Sequence, residues 1–363
     1  VASSQGFAVN QSTNPAIAYE RLRVAACRLL EAAGAEPSVA HCVAQALIEA
    51  DLLGHDTHGL ALLGAYVDEL KKGSMRASGQ VEVLRERASV ALWDGHRMAG
   101  PWLVQEAMRW GLHAAKQHGA AHVVVRRSHH IAALAAYLEA PARAGFLVHL
   151  CCSDPNTASV APFGGTRAVI TPNPMAWAWP CDPDPVIIDV SASITTNGMS
   201  ARLSSADTSE LQPYAWWLDA AGNPTKDPGV LQSKPAGSIL PLGGMEAGHK
   251  GFGLGLMVEA MTAGLAAHGR ADPPEGWGAS LHVQVLDPEA FGGLAGFERE
   301  MNQLAAQCRA SPSPAGKPGV RMPGERGLHR KRKQLNDGIE LHPSILPSLE
   351  RCAQSLGFET FLF

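Results

Sequence analysis

The chain has 363 residues, 46% of them hydrophobic and 18% charged, with a formal net charge of −4. That length holds about two domains with a sizeable core, and the slight negative balance excludes a surface built to attract nucleic acid or an anionic membrane. Its seven cysteines (27, 42, 151, 152, 181, 308 and 352) are odd in number and include no C-x-x-C, so a reduced, cytoplasmic protein acting on a small molecule is expected.

Residues 1–15, VASSQGFAVNQSTNP, read as a loose arm without the basic start and apolar core of a signal peptide. From Pro37, apolar residues recur at helical spacing through Leu53, and Gly54 stops the helix. A second helix is expected from about Gly59 to Lys72, with Leu60, Leu63, Val67 and Leu70 as its stripe and Gly73 at its end. Between them lies GHDTH, 54–58, a hinge carrying two histidines.

The pattern then alternates. SVALWDG (89–95) reads as a strand, 103–119 as an amphipathic helix, AHVVVRR (121–127) as a strand, and 131–145 as helical until Pro141 shortens or kinks it. Strands follow at 146–152, 168–180 and 186–193, and residues 200–250 read as long loops. GFGLGLMVEAMTAGLAAHG (251–269) is expected as a buried helix and 281–291 as a strand and turn. The remainder from 294 is helical around the SPSPAGKPG loop. Such alternation indicates an α/β layer architecture. No apolar run is long enough to span a membrane.

A doubly wound dinucleotide enzyme would show G-x-G-x-x-G between strand and helix. After the strand at 121–127 the chain reads RSHHIAA, without glycine, and KGFGLGL (250–256) lacks a preceding strand. Close helix packing explains those glycines equally well. A nicotinamide cofactor here therefore implies a different fold.

Four stretches carry a resemblance: ADLLGHDTHGL (50–60), RRSHHIAAL (126–134), VAPFGGTRAVITPNPMAWAWP (160–180) with DVSAS (189–193), and GGMEAGHKGFGLGLMVE (243–259). RMPGER (321–326) joins them. Together they resemble the type 2 malate/L-lactate dehydrogenase family of NAD(P)-dependent oxidoreductases. The paired histidine is most similar to the Δ1-piperideine-2-carboxylate/Δ1-pyrroline-2-carboxylate reductase branch. The resemblance spans about 16–360.

It implies a non-Rossmann, three-layer α/β/α cofactor domain with a mixed sheet (76–293). It also implies a largely helical domain formed by both chain ends (16–75 and 294–363), and a homodimer. The implied reaction is hydride transfer from NADPH or NADH, with NADP favoured, to a C=N or C=O carbon of a cyclic imino acid, a 2-oxo acid or a more apolar relative. The alternatives are a 2-hydroxy-acid dehydrogenase working in oxidation and a catalytically weak dinucleotide-binding homologue.

By resemblance, His58 is the proton donor with the hydroxyl of Thr57 beside it. Histidine suits this because its pKa lies near neutrality. Thr57 at a helix N-cap would place His58 at the positive end of a dipole that disfavours imidazolium; on the residues alone, His58 could equally be an exposed first-turn residue. His130 follows a strand and is implied as an acid/base or cofactor residue, the bland reading being a satisfied core histidine. His55 and His58 form H-x-x-H, but no C-x-x-C or H-E-x-x-H accompanies them, so no metal is expected. Cofactor contacts are implied at His129, His130, Asn173, Asp189, Val190, Ser191, His249, Lys250, Pro323, Gly324 and Glu325, with Lys250 before a helix N-terminus suited to pyrophosphate. HRKRK (329–333) reads as a solvated helix face.

Two positions depart from the family. An arginine that grips the substrate carboxylate is expected four residues after the histidine, and Leu62 stands there. Ten residues after the strand-end aspartate, the imine-reductase branch has an aspartate that supports the histidine and the common dehydrogenase form has a lysine; Met199 stands there instead. Both belong to the substrate pocket by position. A 2-oxo acid should therefore react poorly unless another cation replaces the arginine.

Overall fold

The structure, a computed structural model, describes residues 16–205 and 214–362; the expected N-terminal arm, 1–15, lies outside them. The helices are α1 (Tyr19–Ala32), α2 (Pro37–Leu53), α3 (Leu63–Lys72), α4 (Gly100–His118), α5 (Glu139–Arg143), α6 (Asn197–Ser205), α7 (Gly244–Glu259), α8 (Leu294–Ala310), α9 (Glu325–Asp337) and α10 (Ile345–Ser355). The strands are β1 (Glu82–Arg87), β2 (Val90–Asp94), β3 (Ala120–Ser128), β4 (Leu147–Ser153), β5 (Pro174–Trp179), β6 (Val186–Ser191), β7 (Trp217–Leu218), β8 (Pro224–Thr225), β9 (Ser238–Ile239) and β10 (Ala279–Leu286).

Seven strands form one mixed sheet in the order β1-β2-β3-β10-β4-β5-β6. The β2–β3 pair is parallel, joined by the crossover helix α4, as a parallel pair requires. The other pairs are antiparallel. The three short strands β8-β7-β9 make a second sheet within the stretch expected as loop.

Register gives the main sheet two faces of different chemistry, because alternate residues point to opposite sides. On one face Val123, Val283 and Leu150 align, flanked by Ala121, Val285 and Val148; α4 seats here, with Gly111 so close to Val285 that a methyl would lie 3.1 Å from it. This dry face joins the buried residues of α1, α2 and α3 in one core. The other face carries His122, His149, Cys151, His282 and Gln284 and is covered by α7 and the π turn after it.

Helix α7 begins seven residues before the expected start. Gly248, Gly251 and Gly255 line one side of it, and a Cβ on them would meet Phe163 at 2.9 Å, the Leu242 backbone at 2.4 Å and Ile170 at 2.9 Å. Close packing thus accounts for the glycines of GFGLG. His249 and Lys250 consequently lie inside the helix rather than ahead of its N-terminus, which corrects the pyrophosphate geometry expected at Lys250.

The two ends of the described chain meet. Ile17 and Ile339 exchange backbone hydrogen bonds at 3.0 and 2.8 Å. Gln334 of α9 donates to the carbonyls of Asp51 and Leu52 at the end of α2, at 3.3 and 3.2 Å. The basic run of α9 is not simply solvated: Lys331 pairs with Glu49 and Glu139, and Arg332 with Asp184. The amphipathic α1 was not anticipated, nor was β1, whose residues are mostly exposed. Helix α8 contributes Ala305 to a small cluster with Cys181 and Val186.

The hinge between α2 and α3 differs from its expected form. Leu60–Leu62 make a 3-10 turn and α3 proper starts at Leu63. Thr57 is not a cap. The acceptor for the first free N–H is the carboxyl of Asp51, whose Oδ2 receives the Leu60 N–H at 2.8 Å. Asp51 is 1% exposed. A Cβ on Gly59 would fall 2.3 Å from its Oδ1, so only glycine lets the turn close over the carboxyl.

Burial raises the Asp51 carboxyl to about 8, above its ordinary 3.8. The folded protein therefore keeps a proton that the unfolded chain releases, and stability falls as pH rises through 8. Burial acts oppositely on imidazoles: His129 and His149 fall to about 4 and His282 to about 3 from 6.5, so their contribution is lost as pH drops below 6.5. Urea unfolding should show greatest stability near pH 6.5, and Asp51→Asn should flatten the decline between pH 6.5 and 8. An unchanged decline in that variant would remove Asp51 as its cause.

Candidate active site

The hinge brings His58 against the end of β3. The rings of His58 and His130 stack with centroids 5.9 Å apart and planes at 26°. Both keep part of their surface open. Thr57 Oγ and His58 Nδ1 hydrogen-bond at 2.9 Å, which occupies one of the two ring nitrogens. The His58 N–H donates to the His55 carbonyl at 2.8 Å, closing the turn that presents the ring.

His130 is held more tightly. Tyr66 Oη lies 2.8 Å from its Nδ1 and 3.1 Å from its carbonyl oxygen, two acceptors that share the one phenolic hydrogen. The Ala132 N–H approaches Nδ1 at 3.3 Å. An N–H donating to Nδ1 makes that nitrogen an acceptor, so a neutral ring carries its hydrogen on Nε2. Trp277 covers the ring at 4.8 Å. Burial pushes the His130 pKa well below 6.5, with His58 and His129 adding in the same direction. His58 is lowered too, chiefly by burial; the Asp189 carboxylate works against this and stabilises the imidazolium. Burial thus plays the part that sequence assigned to a helix dipole.

Asp189, at the end of β6, accepts the Ala135 N–H at 2.8 Å. This ties the strand end to the turn that follows His130. The next residues, Val190 and Ser191, are open or half-open, and Ser191 Oγ donates to the Ser193 carbonyl at 2.8 Å. Helix α7 touches this strand end: a Cβ on Gly251 would lie 2.8 Å from the Ala192 carbonyl. His249 and Lys250, next to Gly251 in the chain, are both exposed, and the His249 ring lies 5.7 Å from that of Phe163. The Pro323–Glu325 turn reaches the same strand, its Pro323 carbonyl accepting the Ile187 N–H at 3.1 Å.

Two of the expected contact residues have other duties. Asn173 is fully buried and donates to the Gly255 carbonyl at 3.0 Å and to Glu259 at 3.1 Å, while Thr171 donates to its Oδ1 at 2.7 Å. Its amide locks α7 in place. His129 is fully enclosed, with Nε2 3.4 Å from Glu69 and its ring 5.0 Å from that of Trp277. Neither side chain has surface to offer a cofactor.

Leu62 is half-buried and packs on the main core, and Met199 is exposed on α6. The same helix presses on the hinge at Gly198, where a Cβ would sit 3.4 Å from Thr57 and 3.7 Å from His58. Arg202, one turn further along that face, pairs with Asp56 at 2.9 Å, and its charge reaches His58 strongly enough to lower its pKa. Sequence reading did not single out Tyr66, Trp277 or Arg202. Tyr66 carried a signal, an aromatic hydroxyl within the buried stripe of α3; Trp277 and Arg202 arrive by tertiary packing alone. His55 acquires no partner ligands: among the described residues, the grouping with metal-ligand geometry lies elsewhere, on the sheet.

A half-buried histidine pair beside an aspartate-ended strand offers groups able to exchange a proton at neutral pH. The sequence pattern of the malate/L-lactate dehydrogenase family matches residues 17–350. The chain is 31% identical to the L-lactate dehydrogenase of Cupriavidus necator over 91% of its length and 94% of the relative's. Its fold is similar to that of malate dehydrogenase from Pyrococcus horikoshii, with a TM-score of 0.85 and 26% identity over 95% of this chain and 96% of that one. It is similar also to Δ1-piperideine-2-carboxylate reductase from Pseudomonas syringae, with a TM-score of 0.80 and 25% identity over 94% and 100%. The protein belongs to the malate/L-lactate dehydrogenase family and is an NAD(P)-dependent oxidoreductase. No described helix is long and apolar enough to cross a membrane.

The Tyr66 hydroxyl is the polar tie that orients His130. Tyr66→Phe should lower kcat about tenfold, the worth of one hydrogen bond of about 1–1.5 kcal/mol, with cofactor affinity unchanged. Turnover equal to wild type would show that His130 needs no such tie.

Proposed function

We infer that this enzyme interconverts a 2-hydroxy acid and its 2-oxo acid. The observation that carries this reading is the stacked His58–His130 pair, with one ring in the field of the Asp189 carboxylate and the other held by Tyr66. The dinucleotide fits the strand end in kind. Val190 supplies open apolar surface, Ser191 a hydroxyl, and Lys250 an exposed ammonium suited to a phosphate; Pro323, Gly324 and Glu325 border the same strand. The nicotinamide ring, when bound there, would take up the substrate's hydride in oxidation, as NAD+ or NADP+, and give it back in reduction, as NADH or NADPH.

The chain's own residues handle the proton. In oxidation, His58 Nδ1–H donates to Thr57 Oγ, and Nε2 takes the proton of the substrate hydroxyl. Asp189 stabilises the imidazolium that results. In reduction the same proton returns to the carbonyl oxygen. His130, kept neutral by burial, offers Nε2–H as a hydrogen-bond donor to that oxygen. Because burial holds His58 in its base form at neutral pH, the arrangement favours oxidation there.

Arg202 supplies the cation missing at Leu62. It approaches from α6 rather than α3, and Asp56 holds its guanidinium. A carboxylate gripped by Arg202 would lie beside His58, as the reaction needs. A second reading, reduction of a cyclic imino acid, is favoured by the likeness to the Pseudomonas reductase and by the paired histidine at 129 and 130. Proton delivery would then go to nitrogen, with the same residues. A homodimer is part of the reading; exposed Leu256, Met257 and Leu265 beside the sheet offer it apolar surface.

Following NADH and NADPH absorbance against 2-hydroxy acids, 2-oxo acids, cyclic imino acids and uncharged ketones tests the assignment. We expect oxidation of a 2-hydroxy acid, with log kcat/KM falling below an apparent pKa under 6.5. His58→Ala should abolish turnover while cofactor still binds. Arg202→Leu should raise KM for charged substrates about 10- to 100-fold, the worth of a charge-assisted hydrogen bond of roughly 1.5–3 kcal/mol, and leave an uncharged ketone unaffected. Turnover confined to uncharged ketones would sink the carboxylate role of Arg202. Tight cofactor binding with no turnover at all would favour a binding homologue.

A further inference from the structure

The helix-covered face of the sheet carries side chains that the hydride chemistry does not use. His282 of β10 stands opposite Cys151 of β4, and Gln284 opposite His149. Cys151 in turn faces Met175 of β5, and His149 faces Trp177. His149, Cys151 and His282 each present one ligand atom, and the three atoms lie within 4.8 Å of one another. All three residues are buried, at 2%, 0% and 1% exposure.

Their nitrogens are not spent on packing. His149 Nε2 and His282 Nδ1 have no hydrogen-bond partner, although an orphaned buried polar atom costs on the order of 1–3 kcal/mol. The rings are nevertheless held in place. His282 Nε2 and His122 Nδ1 hydrogen-bond at 3.1 Å, and His149 stacks on Trp177 at 4.5 Å. With Nε2–H donating to His122, His282 keeps a lone pair on Nδ1. Metal-bound histidines are commonly oriented by such a partner on the second nitrogen.

We propose that His149, Cys151 and His282 bind a soft monovalent metal ion, Cu(I), with Met175 as thioether neighbour. Two imidazoles and one thiolate in a three-coordinate set, with a methionine nearby, suit copper. Charge selects the oxidation state. Cu(I) with one thiolate is neutral and tolerable in an apolar interior. Zn(II) would leave a net positive charge, and no carboxylate acts on any of the three ligands. Zinc also takes a fourth ligand, and the nearest candidate nitrogen, His122 Nδ1, is engaged with His282. On binding, the Cys151 S–H bond breaks, the S–Cu bond forms and the proton leaves to solvent. No electron is transferred.

The test is anaerobic titration of the full chain with Cu(I) in competition with bicinchoninate, for wild type, Cys151→Ser, His282→Gln and Cys352→Ser. We expect wild type and Cys352→Ser to take up one equivalent more than Cys151→Ser and His282→Gln, and Cu(I) to raise Tm only in the first two. Hydride turnover of Cys151→Ser without copper should match wild type. Equal uptake by wild type and Cys151→Ser would overturn the proposal, as would preference of the site for Zn(II). Should the variants fail to fold, X-ray absorption of Cu(I)-loaded wild type decides. Mixed imidazole and sulfur coordination supports the site, and thiolate-only coordination overturns it.

Discussion

A single carboxyl group under a glycine fixes the geometry on which the active site rests. Asp51 ends α2 in the interior and takes the Leu60 N–H, and Gly59 is the residue that lets the chain pass over it. Residues 54–58 are thereby looped outward between two anchored helices, and His58 emerges at the cleft. Ionising this carboxyl would place an uncompensated charge in the core, and its raised pKa reflects that cost. Gln334 binds the same helix end through its carbonyls, so the distant α9 helps determine where the catalytic turn sits.

The two faces of the sheet divide the labour. The Val, Leu and Ala face buries apolar surface against α4, and through it shares one core with α1, α2 and α3. The opposite face seats α7 through small residues and Asn173 rather than through bulk. That choice brings the second turn of α7 against the end of β6, where the cofactor-binding role is proposed. It also leaves room beneath the π turn for the histidines and Cys151, which a bulkier helix would have displaced.

At the proton-transfer site, burial and charge oppose one another. Desolvation lowers both His58 and His130, but only His58 is in the field of carboxylates, Asp189 first. Two adjacent imidazoles with different surroundings can thus take different roles, one exchanging a proton and the other donating a hydrogen bond. In the proposed reading Arg202 supplies the cation for the substrate, and Asp56 pairs with its guanidinium at 2.9 Å. The departure at Leu62 then reads as relocation of the charge from α3 to α6.

Local patterns were enough for much of the molecule. Gly54, Gly73 and Gly119 stop their helices in the left-handed region as expected, because that conformation is a property of glycine itself. The valine-rich run at 121–127 and the run at 146–152 lie within central strands, since continuous β-branched and apolar residues suit a sheet covered on both faces. His58 and His130 were singled out by residue type and motif order, and the structure brings them together. What sequence could not supply was anything set by strand order or by the meeting of remote segments. Thr57 has the chemistry of an N-cap, yet Asp51 takes the capping role because α2 ends within its reach. Asn173 looked available, but α7 occupies its amide. The three candidate copper ligands lie on two strands, β4 and β10, that are far apart in the sequence, so no spacing rule exposes them. Arg202 reaches the hinge because α6 folds back onto Thr57. Backbone preference acts over a few residues and can be read along the chain; burial, partner and charge depend on which surfaces face each other, and tertiary packing alone decides that.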